Sequence, residues 1–289
     1  MIIARTVNEV REAVAAARRE NRTIGFVPTM GALHEGHLSL VKESKQRADF
    51  TAMSIFVNRI QFNDPRDFEK YPRCDDKDLK LAEASGVDLV FLPSHDTMYR
   101  NALTFVETTS LDRTLCGATR PGHFKGVCTV VAKLFNIVQP DIAVFGQKDI
   151  QQVRILEKMV EDLDFPVRIV TAPIVREKDG LAMSSRNVHL TPELRVRALS
   201  LSRALAKAKE LIESGTLAAG TIEAAVSREI AKGSPDVIDY VSLVDYGTLR
   251  SVATIQEKSV LAVAAFFGTT RLIDNMIITR KDDSFTCTL

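Results

Sequence analysis

The part of the chain that decides the fold is a short apolar stretch that leads through a polar loop into an amphipathic segment. It reads Ile24-Gly25-Phe26-Val27-Pro28-Thr29-Met30-Gly31-Ala32-Leu33-His34-Glu35-Gly36-His37, and an amphipathic pattern follows from Leu38 to Arg47. A buried strand followed by a segment of helical period is the first half of a strand–helix–strand unit. We therefore predict a parallel sheet with helices packed on it.

The same alternation continues to about residue 175. Further strands are predicted at Thr51–Val57, Val87–Leu92, Ile142–Phe145 and Val167–Val170, and further helices at Asp76–Ala84, Val127–Val138 and Asp149–Glu161. After Asp179-Gly180 the pattern changes, with a helix start at Thr191-Pro192-Glu193, a helix near Thr221–Ala231, and strands at Val237–Val244, Ser259–Phe267 and Arg271–Ile278. The predicted fold class is α/β: a Rossmann-like parallel sheet as the N-terminal domain, residues 1–177, and a smaller α+β C-terminal domain, residues 178–289.

Composition and charge narrow the classes of partner. The 289 residues include 38 Lys and Arg against 37 Asp and Glu, with no long block of one sign, so bulk charge does not predict binding to nucleic acid. The four cysteines have no CxxC spacing and favour a reducing cytoplasm. No apolar run reaches membrane-spanning length, so no membrane partner is predicted.

Polar clusters follow the strands of the predicted sheet, where open parallel sheets bind their ligands. In the first cluster His34 and His37 are expected on one face of a helix, where their imidazoles would join the backbone N–H groups of the helix start in holding phosphate. Gly36 would let an anion approach the backbone closely. The alternative is a pair of surface histidines or an incidental metal pair.

The second and third clusters each leave a simpler interpretation open. Asn58 and Gln61 follow a buried strand and could orient a small polar substrate through neutral hydrogen bonds, or they could only cap the loop. Lys148 is placed to meet phosphate oxygens, and Asp149, near a helix start, could accept ribose hydroxyls. The alternative is a solvated lysine beside a routine acid of a helix N-terminus.

The fourth cluster is Ser184-Ser185-Arg186, in which two hydroxyls and a guanidinium form a compact phosphate clamp; the alternative is a polar hinge. The stretch Arg120–Phe124 precedes a helix and is expected to supply a further cation. Four clusters of phosphate-type donors at strand ends indicate a nucleotide site. Because no GxGxxG pattern is present, phosphoryl or nucleotidyl transfer is favoured over a dinucleotide cofactor.

Together these motifs resemble the pantothenate synthetase family, within the HxGH nucleotidyltransferases that are related to class I aminoacyl-tRNA synthetases. The resemblance spans nearly the whole chain. It is carried by Pro28–His37, Ser54–Phe62, Tyr71–Arg73, Arg120–Val127, Phe145–Gln152, Asp179–Asn187 and Arg271–Asn275. The HxGH element alone identifies only the superfamily, whereas the combination is much more specific.

The resemblance implies ATP-dependent ligation of pantoate and β-alanine through a pantoyl adenylate, with release of AMP and pyrophosphate. The catalytic residues it implies are His34, His37, Lys148, Ser184, Ser185 and Arg186. The residues implied for ATP are Met30, His37, Gly146, Lys148, Asp149, Val175, Met183, Ser184, Ser185 and Arg186. Those implied for pantoate and β-alanine are Met30, Asn58, Gln61 and Gln152.

The resemblance also implies the partners and the division of labour between the domains. Mg²⁺ would be bound by the ATP phosphates and not by protein ligands, and the chain would form a homodimer. Residues 1–177 would bind nucleotide and pantoate, and residues 178–289 would act as a lid with its hinge near Arg176–Gly180.

Two departures and two rival interpretations stay open. Arg59 and Arg100 stand where the family usually has proline, and Arg59 adds a cation beside Gln61, so pantoate binding is where a deviation is expected. The rivals are an HxGH nucleotidyltransferase that acts on a different acceptor, and a non-catalytic ATP-binding module.

Overall fold

The structure, a computed structural model, describes residues 1–63, 65–282 and 284–289, except for the side chain of residue 66. It divides into two compact units. Unit 1 comprises residues 1–146 and 152–172, and unit 2 comprises residues 147–151 and 173–289. The chain thus passes into the main part of unit 2 after residue 172, whereas the sequence predicts a domain boundary after residue 177.

Unit 1 is built on a six-stranded parallel sheet in the order β1-β4-β3-β2-β5-β6. Its strands are β1 Ile2–Ala4, β2 Ile24–Thr29, β3 Phe50–Ile55, β4 Leu89–Phe91, β5 Ile142–Gly146 and β6 Arg168–Ala172. Its helices are α1 Val7–Arg19, α2 Glu35–Lys45, α3 Pro65–Lys70, α4 Asp75–Ala84, α5 His95–Tyr99, α6 Leu115–Thr119 and α7 His123–Val138. Helix α8, Ile150–Asp162, begins in the short segment of unit 2 and continues in unit 1.

The predicted parallel sheet is confirmed, and its central strands are buried on both faces. Phe26 of β2, Met53 of β3 and Val144 of β5 are all fully buried, as expected for parallel strands covered by helices on each side. The apolar runs that predict these strands are therefore core residues. The elements before residue 24, β1 and α1, were not predicted.

Unit 2 contains a four-stranded antiparallel sheet in the order β10-β9-β8-β7, packed against helices. Its strands are β7 Val237–Asp245, β8 Lys258–Phe267, β9 Thr270–Lys281 and β10 Ser284–Thr288, and its helices are α9 Pro192–Ala198, α10 Ser200–Glu213 and α11 Ala219–Ala231. The smaller α+β domain is thus confirmed. The terminal residues, which the sequence left unassigned, form β10, paired with the end of β9.

Side chains of β9 alternate between two differently covered faces. Leu272, Met276 and Ile278 lie in the apolar core that also contains Leu201 and Leu205 of α10. Because successive side chains of a strand point to opposite faces, Asp274 lies on this helix-covered face and Asn275 on the other.

Among the helices that the structure describes, none is long and apolar enough to cross a membrane.

Candidate active site

The loop between β2 and α2 is held by a buried carboxylate. Gly31 and Ala32 both have positive φ, 81° and 50°, which is a costly conformation for a residue with a side chain such as Ala32. Asp78 of α4 is 1% exposed and accepts hydrogen bonds from the backbone N–H groups of Ala32 and Leu33, each at 2.8 Å. These two bonds fix the path of the chain immediately before His34.

Asp78 is a residue of this region that the sequence interpretation missed. An added Cβ at Gly31 would lie 2.9 Å from Oδ2 of Asp78, so the loop and the carboxylate fit closely. The signal in the sequence is a negative charge at a core-facing position of the predicted helix Asp76–Ala84. A buried acid of this kind requires partners, because an unpaired charge is expensive to bury.

The histidine pair does not lie on one helix face as predicted. His34 has extended backbone angles and is the N-cap of α2, and His37 lies within the first turn. Nδ1 of His34 accepts the N–H of Gly36 at 3.1 Å, and Nδ1 of His37 accepts the N–H of His34 at 3.3 Å. The two rings still lie together, with their centroids 4.1 Å apart. The prediction was wrong in detail because the imidazole takes the place of the usual Ser or Asp cap.

These hydrogen bonds assign the tautomer of both rings. A ring nitrogen that accepts a backbone N–H carries no proton, so the proton of each neutral imidazole is on Nε2. The pair is located at the N-terminus of α2, where the helix dipole favours an anion. The site is suited to hold negatively charged oxygens without requiring a charged histidine.

Three residues expected at the pantoate pocket lie together in unit 1. The side-chain amide of Asn58 donates to Oε1 of Gln61 and to the carbonyl of Gly126, both at 3.0 Å. Nε2 of Gln61 lies 2.9 Å from Sδ of Met30, a weak acceptor. Asn58 stands at the N-cap position of the following 3₁₀ turn, Arg59–Gln61, but its side chain makes no capping hydrogen bond.

Helix α7 fixes Gln61 from the other side. Nδ1 of His123 lies 2.7 Å from the carbonyl oxygen of Gln61, so Nδ1 carries the proton and Nε2 is left as the acceptor for the Arg120 guanidinium at 3.2 Å. At Gly126 a Cβ would lie 2.6 Å from Cα of Gln61. The residue therefore has to be glycine for α7 to approach this closely. The contacts of His123 and Gly126 with Gln61 were not predicted from the sequence.

The stretch Arg120–Phe124 was expected to supply a cation to the nucleotide. In the structure His123 is 8% exposed and belongs to α7, which starts four residues earlier than predicted. Arg59, the departure beside Gln61, is exposed, and its guanidinium lies 5.9 Å from the ring centroid of Phe68. This contact is a cation–π interaction.

Four further predicted residues lie at or soon after the end of β5, two in unit 1 and two in unit 2. Gly146 ends β5, with Leu40 of α2 the nearest neighbour of an added Cβ, at 3.9 Å. Gln152 is half-buried in the first turn of α8. Lys148 and Asp149 belong to unit 2, in the 3₁₀ turn Gln147–Asp149, where Lys148 is half-buried and Asp149 is exposed.

A hairpin in unit 2 brings two predicted adenine contacts together. The N–H of Met183 donates to the carbonyl of Val175 at 2.9 Å, and the hairpin turns at Gly180, whose φ is 97°. Only glycine adopts that conformation without strain. Val175 and Met183 are therefore direct neighbours across the hairpin.

The Ser184-Ser185-Arg186 cluster follows that hairpin and is rigidly held. Ser184 caps the 3₁₀ helix Ser185–His189, with its Oγ accepting the N–H of Arg186 at 3.3 Å. The amide of Asn187 donates to the carbonyl of Ala182 at 3.1 Å and to Glu177 at 2.6 Å. A hydroxyl that accepts one bond still has its proton to donate. The cluster thus forms a capped 3₁₀ turn whose next residue, Asn187, is hydrogen-bonded back to the hairpin.

Ion pairs anchor the two arms of the hairpin. Arg176 makes a two-point contact with Asp274 of β9, at 2.7 and 3.1 Å, and Arg195 of α9 bridges Glu177 and Asp179 at 2.5 and 2.8 Å. Burial alone would raise the pKa of Asp179, but the N–H of Leu181 and the Arg195 guanidinium outweigh it and leave this pKa below its ordinary value. The carboxylate therefore stays charged and keeps the hairpin closed.

A parallel sheet whose second strand leads into His34-Glu35-Gly36-His37 at a helix start is the arrangement expected of an enzyme of the HxGH nucleotidyltransferase class. Comparison with known proteins narrows the class. The family model described as pantoate-beta-alanine ligase matches residues 2–277. The chain belongs to this family.

Individual relatives agree with this assignment. The pantothenate synthetase of Thermoanaerobacter sp. (strain X514) is 54% identical over 278 residues, which are 96% of this chain and 98% of the relative. The solved pantothenate synthetase of Thermus thermophilus is 42% identical with a TM-score of 0.89, covering 95% of this chain and 98% of its own. The pantoate-beta-alanine ligase of Francisella tularensis, solved with beta-gamma ATP and beta-alanine, is 32% identical with a TM-score of 0.77. The match covers 95% of this chain and 97% of the Francisella chain.

Proposed function

We propose that the chain joins pantoate to β-alanine at the expense of ATP, through a pantoyl adenylate, and releases AMP and pyrophosphate. The observation that carries the proposal is the histidine pair at the start of α2. Its two Nδ1 atoms accept backbone N–H groups, so each neutral ring carries its proton on Nε2, and the pair lies beside a helix N-terminus. The ligand that such donors fit is a polyphosphate.

In the first step a carboxylate oxygen of pantoate attacks the α-phosphorus of ATP, and the bond from that phosphorus to the pyrophosphate oxygen breaks. The reaction needs donors wherever negative charge grows on the phosphate oxygens. We assign this role to His34, His37, Lys148, Ser184, Ser185 and Arg186. His34 and His37 act as neutral donors, whereas Lys148 and Arg186 act as cations.

The other predicted residues orient the substrates. Val175 and Met183 contact the adenine, Gly146 and Asp149 bind the ribose, and Met30 lies against both ATP and pantoate. Asn58, Gln61 and Gln152 face pantoate and β-alanine. Support for this part comes from the hydrogen bonds among Met30, Asn58 and Gln61, which hold their side chains in fixed orientations, and orientation is a major source of rate in such reactions.

In the second step the neutral amine of β-alanine attacks the carbonyl carbon of the adenylate. The new C–N bond forms, the C–O bond to AMP breaks, and the amine loses a proton to solvent or to the phosphate. The solved Francisella relative holds beta-alanine, which supports this choice of acceptor. We assign no general base, because positioning of the amine suffices for an activated acyl group.

Three further parts of the proposal concern metal, assembly and compartment. Mg²⁺ enters with ATP on its phosphate oxygens, the kind of ligand it prefers, and no step above relies on a protein ligand for it. In the residues that the structure describes, no group of three or more His, Cys, Asp or Glu side chains could hold a metal. The assembly is a homodimer, as the resemblance implies, and the compartment is the cytoplasm, which suits four free cysteines.

Exchange of labelled pyrophosphate into ATP tests the first step and separates the rival interpretations. With Mg²⁺ present, we expect exchange with pantoate but not with a panel of other small hydroxy acids and amino acids, because only the correct carboxylate forms an adenylate. Exchange that depends on a different acid would indicate another nucleotidyltransferase of the class. ATP binding without exchange under any acid would indicate a non-catalytic module, and either result would overturn the proposal.

A further inference from the structure

A buried asparagine of unit 2 lies directly beneath the turn that carries Lys148. Asn275 is 1% exposed and lies on the face of β9 opposite to α10. The turn Gln147–Asp149 packs on β9, and Gln147 is itself 2% exposed. A polar side chain in such a place requires partners, since an unsatisfied buried amide is costly.

The side chain of Asn275 meets that requirement by bonding the turn. Its Nδ2 donates to the carbonyl oxygens of Gln147 and Lys148, each at 3.0 Å. Its Oδ1 lies 3.4 Å from Nε2 of Gln147, which also donates to the carbonyl of Thr288 in β10 at 3.1 Å. One amide group thus binds two consecutive carbonyls, and a glutamine beside it links the turn to the last strand.

These bonds fix the backbone at Lys148. A lysine side chain is long and flexible, so the position of its ammonium depends on how firmly its backbone is held. Two hydrogen bonds to successive carbonyls specify both the position and the twist of the peptide unit between Gln147 and Lys148. In the absence of Asn275, both carbonyls would be left without this partner in a buried environment.

We propose that Asn275 is a positioning residue. It contributes to ATP binding through Lys148, because it holds the turn Gln147–Asp149. The inference rests on the proposed function, because it assumes that Lys148 meets the phosphates. It goes beyond that function in assigning a role in ATP binding to a residue of β9, distant in sequence from the phosphate-binding clusters.

Steady-state kinetics of full-length variants test the proposal. We expect Asn275→Ala to lower kcat/KM for ATP by roughly 10- to 100-fold, in keeping with the loss of two hydrogen bonds, and to change KM for pantoate by less than about twofold. Asn275→Asp has the same size but replaces the donors by acceptors, so its kcat/KM for ATP should be at least as low as that of Asn275→Ala. If Asn275→Asp fails to fold, Asn275→Ser is used instead. It keeps one donor, so its kcat/KM for ATP should lie between those of Asn275→Ala and wild type.

Ser259 offers a matched control. It is fully buried on the neighbouring strand β8 and accepts the N–H of Gln256 at 2.9 Å, so Ser259→Ala also removes a buried hydrogen bond from the same sheet. Its kcat/KM for ATP should stay within about twofold of wild type at a temperature where both variants are folded. An equal loss in Ser259→Ala, or wild-type behaviour of Asn275→Asp, would overturn the proposal.

A double-mutant cycle separates this proposal from the role of Lys148. If Asn275 acts through Lys148, then Asn275→Ala should cause little further loss of kcat/KM in a Lys148→Ala background. Additive losses would overturn the positioning role while leaving Lys148 in the site. If Lys148→Ala alone had no effect, the proposed function of Lys148 would fail first, and the positioning role would fail with it.

Discussion

Replacing His34 by asparagine is expected to lower kcat/KM for ATP by about 100- to 1,000-fold, the usual cost of removing one donor to transition-state charge, with little change in melting temperature. Asparagine is among the best N-cap residues, so it can replace Nδ1 of His34 as the acceptor for the N–H of Gly36. It cannot supply the Nε2–H donor. The variant therefore separates the two tasks that the imidazole performs.

His34→Ala is the matched comparison for this experiment. Alanine loses the cap as well as the donor, so the free energy of unfolding should fall by about 1 kcal/mol, in addition to the loss of activity. Thermal unfolding and initial rates measured on both variants give the two effects separately. An active His34→Asn enzyme would mean that the histidine is only a helix cap.

Replacing Asp78 by asparagine is expected to lower both stability and activity. The carboxylate accepts two backbone N–H groups, at Ala32 and Leu33, whereas an amide has one acceptor and would turn its own N–H groups toward the second donor. Leaving a buried donor unsatisfied costs about 1–3 kcal/mol of stability. Because the same loop leads to His34, kcat/KM for ATP should fall by at least about tenfold, since small misplacements of reacting groups are costly.

Asp76 is the control for this substitution, because it is an exposed carboxylate of the same helix α4. Asp76→Asn should change stability by no more than about 0.5 kcal/mol, the range for exposed surface positions, and leave the rates unchanged. Chemical denaturation monitored by circular dichroism gives the stability of both variants. Wild-type stability and rates in Asp78→Asn would contradict the role given to this carboxylate.

The sheet of unit 1 could largely be predicted because its central strands are apolar on both faces. Strand β1 has only three residues, too few for a periodic signal. Helix α1 carried an unused signal: Thr6 and Glu9 form a capping box, a pattern visible in the sequence. The terminal strand β10 was missed because its five residues are too few for a clear alternation of apolar and polar side chains.

The candidate site was predicted as residue types at strand ends, but not as a set of contacts. The helix was predicted from Leu38, where the apolar period starts, whereas it begins at Glu35 with the imidazole of His34 as its cap. Asp78 and Asn275 were missed for a different reason. Their partners lie 45 and 127 residues or more away in the sequence, and only the folded register brings them together.

The proposed ligation of pantoate and β-alanine is tested by measuring AMP formation from ATP and Mg²⁺ in the presence of pantoate, with and without β-alanine. Wild type is compared with His34→Ala and Lys148→Ala. We expect rapid AMP release only when both substrates are present, and a large loss of this activity in both variants while each remains folded. Absence of AMP release from folded wild-type protein, or full activity in both variants, would contradict it.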